Sequence, residues 1–420
     1  MLQKPMKLIT GAKVLRASGE VTNETLVIEG EQIVRLTTEA PGAYLLSRDD
    51  VEVYSGEGCY LTPGLIDVHT NGGFGCDFNN TSVTEIQSLL SELPKYGVTS
   101  IVPTVITAPT MDMLTSITTL EEALHMQRSN QCQLHGLYLE GPFIHPEYRG
   151  AHPQIESLGF GENLVSRLNT LLSPNVKVMT LAPELDTTGL LIKALCERGV
   201  RVMAGHTNAT WEEIQRASFQ GLAGITHLFN AMRPLRHREP GVACAALTLP
   251  QLYVEVISDG VHLHPETVHL VLRAKEADKI LITTDAMALA GLSDGSQCQF
   301  GGQTVTRKGT QAVNTEGRLS GSVAMLNDCV KNIVAWGYKS FPEVVPMATT
   351  NPARFLGIEN KVGSLETGLD ANCVLWDMKT LEVKATWVRG NLVYEAGNSS
   401  VGNPSKAAPI NQAYNSPQLV

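Results

Sequence analysis

The chain has 420 residues, of which 43% are hydrophobic and 18% charged, with a formal net charge of -10 and a pI near 5.6. This length accommodates one large domain plus a smaller one, and the acidic balance argues against nonspecific nucleic-acid binding, which needs a broad basic surface. The eight cysteines are scattered singly from Cys59 to Cys373 without a CxxC pair, a pattern that excludes a zinc ribbon and reads as mostly buried structural thiols in a reducing compartment.

The start, "MLQKPMKLITGAKVL", lacks the apolar core of a signal peptide. No apolar run reaches the roughly 18 residues of a membrane helix, so a cytoplasmic protein without membrane or nucleic-acid partners is expected. Residues 1–60 read as β structure: "KLITGAKVL", "ETLVIEGEQIVRL" and "DVEVYSGEGCYLTPG" are short strands broken by Gly, Asn and Asp. The same texture returns near the end, in "GSLETGLD", "ANCVLWDM" and "EVKATWVRGNLVYEAG". Segments 1–60 and 356–398 are therefore expected to build one small β-sandwich domain from both ends of the chain.

Between them, residues 61–355 alternate strand-like and helix-like segments. The strand-like runs are "GLIDVHTNG", "VTSIVPTVIT", "LHGLYLEGPFI", "VKVMTLAPE", "VRVMAGHTNA", "GITHLFNAM", "LYVEVISDGVH" and "ILITTDAM". "SVTEIQSLLSELPKYG" spaces Val83, Ile86, Leu89, Leu90 and Leu93 as one face of a helix. "TWEEIQRASFQGL" opens with Thr210 and places Glu213 three residues later, a capping box. Eight strand–helix repeats predict a parallel sheet closed into a (β/α)8 TIM-type barrel. The Gly-rich stretch "GLSDGSQCQFGGQTVTRKGTQAVNTEGRLSGS" is expected to be an inserted hairpin or loop over the site, and "SVAMLNDCVKNIVAWG" the last barrel helix. Residues 399–420, polar and rich in Pro, Asn and Ser, read as a disordered tail.

Polar residues gather where the proposed strands end, the side on which barrel enzymes place their active sites. In "PGLIDVHTNG", His69 and Asn71 stand two apart and face the same way. The third strand ends in Glu140, the fifth in His206, the sixth in His227, the seventh in Asp259 and His262, and the eighth in Asp285. A single strand-end histidine is more often a structural residue than a ligand, so the case rests on agreement across five strands. Glu140, His206 and His227 would hold zinc or a similar ion and leave a position open for water. Asp285 would exchange protons with that water and a leaving group, although read alone it serves equally as a cap for the following segment. Asp259, in "SDGVH", reads first as turn support. "NAMRPLRHREPG" brings Arg233, Arg236, His237 and Arg238 together; guanidinium forks suit phosphate or carboxylate oxygens, and the alternative is a solvated loop.

Together "PGLIDVHTNGGFGCDF", "LEGPFI", "GAHP", "GHTNA", "THLFNAM", "REPG", "DGVH", "TTDAM" and "LSGS" resemble the N-acetylglucosamine-6-phosphate deacetylase family of the amidohydrolase superfamily, over roughly Leu61 to Arg354. The resemblance implies metal-dependent hydrolysis of the N-acetyl group of N-acetylglucosamine 6-phosphate, in amino-sugar catabolism, by a homodimer. It implies Glu140, His206 and His227 as ligands, Asp285 as the acid/base, and His152 as the group that polarises the acetamide carbonyl. It further implies Asn230 and Ala231 along the sugar, Arg238 and His262 at the phosphate, and Asn71, Ala151, Asp259, Leu319, Ser320 and Gly321 among the further substrate-contacting residues. One tightly bound divalent ion is expected, zinc first, with iron, manganese or cobalt also compatible with these ligands. His69 is the candidate ligand for a second, weaker ion. "TLAPE" offers no lysine at the end of the fourth strand, where binuclear relatives with a carbamylated lysine carry one, and Glu140 would take that structural place. Two other functions compete. One is deacetylation of N-acetylgalactosamine 6-phosphate or another N-acyl substrate. The other is a non-catalytic scaffold on the same fold.

Overall fold

A computed structural model of the chain describes residues 6–39, 50–154 and 164–397. The predicted tail, 399–420, lies outside the described residues. Within them all eight predicted barrel strands form: Leu65–Thr70, Val98–Ile106, Leu137–Glu140, Val176–Leu181, Arg201–Ala204, Leu222–Ile225, Tyr253–Val256 and Ile280–Ile282. Each pairs in parallel with the next. The eighth returns to the first through a parallel bridge between Thr70 and Ala286 and a hydrogen bond from the Asp285 amide to the His69 carbonyl at 3.0 Å.

The first two strands are buried along their whole length, because helices cover the sheet outside while side chains fill the barrel inside. The inner filling is Ile66, Val68, Val102, Tyr138, Val178, Met203 and Leu281, with Ala353, Phe355 and Val362 in the same cluster. Strands alternate with helices at 83–92, 110–125, 164–171, 190–197, 211–220, 241–248, 265–274 and 326–335. The local signals act as read. Thr210 caps the helix Trp211–Gln220 through the reciprocal bonds of a capping box with Glu213, and Gly221 ends it in the left-handed region. Ser82 and Glu85 do the same at Val83–Glu92, where Ile86, Leu89 and Leu90 form the buried face.

Strands from both ends of the chain make two further sheets. One is four-stranded, from Met6–Thr10, Thr25–Glu29, Gln32–Thr37 and Val51–Ser55; the other is six-stranded and includes Cys59–Pro63, Cys373–Asp377, Val383–Val388 and Asn391–Glu395. Ile9, Leu26, Ile28 and Ile33 of the first share a core with Leu61, Cys373, Leu375 and Trp387 of the second, a face-to-face packing. "GSLETGLD" contributes turns rather than a strand, with only an isolated bridge between Asp370 and Gln32. Of the cysteines, Cys76, Cys132, Cys329 and Cys373 are buried and the other four only partly so, which corrects the expectation of mostly buried thiols. The insertion after the eighth barrel strand is a four-stranded antiparallel sheet, Gln297–Phe300, Gln303–Lys308, Gln311–Asn314 and Leu319–Ser322. Its first turn needs Gly301, since a side chain there would run into the Ala151 carbonyl oxygen. The insertion is thereby seated against the loop that carries His152.

Candidate active site

The C-terminal strand ends open into a cavity of about 170 Å³. Of the residues singled out in the sequence, Asn71, Glu140, Ala151, His152, His206, His227, Asn230, Ala231, His262, Asp285, Leu319 and Gly321 line it. His69 lies behind this wall, fully buried. Asp259 is buried beside His262, and Ser320 is buried between Leu319 and Gly321. Arg238 is exposed on the loop after His227 and is not among the lining residues. Ile106, Gly150 and Phe300 line the cavity without having been singled out.

The tightest polar cluster centres on one atom. Glu140 Oε1 lies 2.9 Å from His206 Nε2 and 3.0 Å from His227 Nε2, and the two nitrogens are 3.0 Å apart. His206 Nδ1 lies 2.9 Å from the Tyr148 carbonyl oxygen and donates to it, so a neutral ring presents a bare Nε2 to this triangle. Two imidazole nitrogens in such contact, beside a carboxylate oxygen, are better satisfied by a cation than by one another. For metal–ligand bonds of ~2.1 Å a tetrahedral site has edges of roughly 3.4 Å, close to those present. The donor set therefore fits a divalent ion. Donors from Glu140, His152 and His206, and from His69, Glu140 and Asp285, also gather within 4.8 Å of one another. The Glu140–His206–His227 triangle is tighter than either.

Electrostatics follow from the same packing. Burial opposes charge on Glu140, but His69, His152 and His206 around it hold its carboxyl well below the usual range. Burial and the facing His152 push His206 down to about 4. Burial lowers His227, but the hydrogen bond and charge of Glu140 together with the charge of Asp285 raise it above the usual value. The two rings share a carboxylate but differ in their other neighbours: His152 packs on His206, with ring centroids 4.3 Å apart, whereas the Asp285 charge acts on His227. At the cavity edge, His262 Nδ1 lies 2.7 Å from Asp259 Oδ2, and this contact raises the imidazole despite its burial. With Nδ1 engaged, Nε2 is the donor left for an anion.

Backbone geometry is specialised at these positions. His206, His227, Ala231 and Asp285 have φ of 48°, 29°, 48° and 50°, a region that non-glycine residues enter rarely and that is enriched at functional sites. Gly150 has φ 56°, and a Cβ there would stand 3.3 Å from His206 Cε1. Asp285 caps no helix. Its amide and carbonyl bond to His69 and Ser322, both at 3.0 Å, and its Oδ1 accepts from Asn71 Nδ2 at 2.6 Å. Asn71 therefore orients Asp285. His152 Nδ1 is tied to the Thr107 hydroxyl at 2.9 Å, and its Nε2 lies 3.4 Å from Glu140 Oε2.

Comparison with known proteins gives a consistent result. Residues 60–393 match the model of the amidohydrolase family. An N-acetylglucosamine-6-phosphate deacetylase of Bacillus subtilis is 32% identical over 396 residues, 94% of this chain and 97% of that protein. An N-acetylgalactosamine-6-phosphate deacetylase of Escherichia coli O157:H7 is 34% identical over 336 residues, 79% of this chain and 87% of that protein. Among solved structures, the N-acetylglucosamine-6-phosphate deacetylase from Pasteurella multocida superposes with a TM-score of 0.83 at 30% identity, covering 92% of this chain and 99% of that one.

Proposed function

The chain belongs to the amidohydrolase family, beside the N-acetylglucosamine-6-phosphate deacetylases, and on that premise we propose that it hydrolyses N-acetyl-D-glucosamine 6-phosphate to D-glucosamine 6-phosphate and acetate. The observation that carries this reading is the Glu140–His206–His227 triangle with Asp285 and His152 in one cavity. A divalent ion held by the three ligands, zinc first, would supply the Lewis acidity that activates a water near neutral pH. Iron, manganese and cobalt suit the same donors, and His69 remains the candidate ligand for a second, weaker ion.

In this proposal Asp285, held by Asn71, takes a proton from the attacking water and returns it to the leaving amine. His152 donates Nε2–H to the acetamide oxygen as negative charge develops there. Ala151, Asn230, Ala231 and the Leu319–Ser320–Gly321 segment lie along the sugar. Asp259 holds the His262 ring toward the phosphate. Arg238, exposed on its own subunit, would reach the phosphate across the interface of a homodimer. We further propose lobes at 1–60 plus 356–398 and at 61–355, and a place in cytoplasmic amino-sugar catabolism. No helix among the described residues is long and apolar enough to cross a membrane.

The Escherichia coli relative keeps the galactosamine epimer in play, so the test is a substrate panel. We expect N-acetylglucosamine 6-phosphate to exceed both its galacto epimer and unphosphorylated N-acetylglucosamine in kcat/KM. The second gap should be about 10²-fold, since charge-assisted hydrogen bonds contribute ~1.5–3 kcal/mol each. Arg238→Ala should narrow that gap by about tenfold, on the scale of one such contact. A higher kcat/KM for the galacto epimer would transfer the assignment to that sugar. An unchanged phosphate preference in Arg238→Ala would remove Arg238 from the site.

A further inference from the structure

We propose that Glu255 is the positioning residue of this centre, acting through the ring of His69 and the backbone of His227. The proposal rests on the reading of Glu140, His206 and His227 as primary ligands. Glu255 stands in "LYVEVIS", the otherwise apolar seventh barrel strand, and is wholly buried. A carboxylate in such a place has lost its hydration and persists only where other donors replace water. Three donors do so. His69 Nδ1 lies 3.0 Å from Oε2, the His227 amide donates to the same oxygen at 3.1 Å, and the Tyr138 hydroxyl donates to Oε1 at 3.2 Å. Among the described residues the only ion pair of Glu255 is with His69.

The shared oxygen is what gives Glu255 its reach. It links an imidazole on the first strand to the backbone of a ligand that follows the sixth. With its Nδ1–H given to Glu255, a neutral His69 ring carries a bare Nε2. That nitrogen is buried and has no hydrogen-bond partner, and it stands 3.4 Å from Glu140 Oε2 and 3.5 Å from Asp285 Oδ1. A carboxylate behind an imidazole in this manner fixes the tautomer and ring orientation and raises the basicity of the inward nitrogen. Tyr138 keeps the carboxylate from turning away. Its hydroxyl is itself held by Thr180 at 2.7 Å and Thr226 at 3.0 Å, and these two lie 2.7 Å apart. The hydroxyl cluster, Glu255, His69 and His227 thus form one buried network whose members limit one another's motion.

The test reads metal binding rather than turnover. Zinc(II) affinity is measured by chelator competition and cobalt(II) absorption spectra are recorded for wild type, Glu255→Gln, Glu255→Leu, His69→Gln and the His69→Gln/Glu255→Gln pair. Glu255→Gln, which keeps an acceptor oxygen but no charge, is expected to weaken zinc binding about 10–100-fold, the usual effect of losing an outer partner, and to shift the cobalt spectrum. Glu255→Leu should weaken it further, and the double variant should lose less than the product of the single losses. Wild-type affinity and spectrum in Glu255→Gln, or fully multiplicative losses, would overturn the proposal. Tyr138→Phe removes one hydroxyl and no charge, so it serves if the Glu255 variants do not fold. It should weaken binding in the same direction by a smaller factor, and no weakening would overturn the proposal. Because no substrate enters these measurements, failure of the deacetylase reading would leave this result standing, and the reverse also holds.

Discussion

Asp285→Asn is expected to lower kcat for deacetylation by about 10²–10⁴-fold, the range for loss of a general acid/base, while metal content stays near that of wild type. The expectation follows from placement. Asp285 lines the cavity, its backbone is fixed on both sides by His69 and Ser322, and one carboxylate oxygen is held by Asn71 at 2.6 Å. Asparagine fits the same space but cannot take a proton from water and deliver it to nitrogen. The backbone bonds and the φ of 50° at this position are tolerated by asparagine, so folding should be preserved. Steady-state acetate release together with elemental analysis separates loss of proton transfer from loss of metal. A rate within a few-fold of wild type at full metal occupancy would remove Asp285 from the acid/base role.

Glu140→Gln should have an effect at least as large, by a different route. Glu140 Oε1 is the one atom shared by both imidazole nitrogens of the triangle, and its carboxylate is the negative member of the set. Glutamine has nearly the same shape but no charge, and one of its two head atoms is an N–H donor facing the ion. The metal-to-protein ratio is expected to fall close to zero. The rate should fall by about 10³-fold or more, in keeping with the several kcal/mol of charge stabilisation that a bound ion supplies. Circular dichroism should remain that of the wild type, since the barrel core lies below this layer. Full metal occupancy with retained activity would remove Glu140 from the ligand set.

Much of the barrel was legible because its signals are local. Apolar runs separated by capped helices report strand–helix units, and Thr210 with Glu213 caps its helix as the motif implies. The strand-end rule then brought Glu140, His206, His227, His262 and Asp285 into view from segments far apart in the chain. Other features depend on three-dimensional neighbours that spacing does not encode. Phe300 reaches the cavity only because the inserted sheet folds back over the loop at Ala151, and Ile106 only because its strand ends level with Glu140. The pair His69 and Asn71 has a period-two spacing, and both side chains approach Asp285 Oδ1, Asn71 Nδ2 at 2.6 Å and His69 Nε2 at 3.5 Å. What the spacing does not encode is that the other ring nitrogen of His69 meets the buried Glu255. Glu255 is a charge in the middle of an apolar parallel strand, and such a residue is buried at a cost that calls for partners. Arg238 shows the opposite limit. The basic cluster is evident in the sequence, yet within one subunit the residue stands exposed on its loop.

The central claim, that this chain is a metal-dependent amide hydrolase acting on a phosphorylated amino sugar, is tested most directly by one measurement. Acetate release from N-acetylglucosamine 6-phosphate is followed with purified protein as isolated, after removal of metal by chelation, and after readdition of zinc(II) or cobalt(II). Acetate and glucosamine 6-phosphate are expected in equal amounts, with turnover lost on chelation and recovered on readdition. Absence of acetate release from protein with a full complement of metal would contradict it.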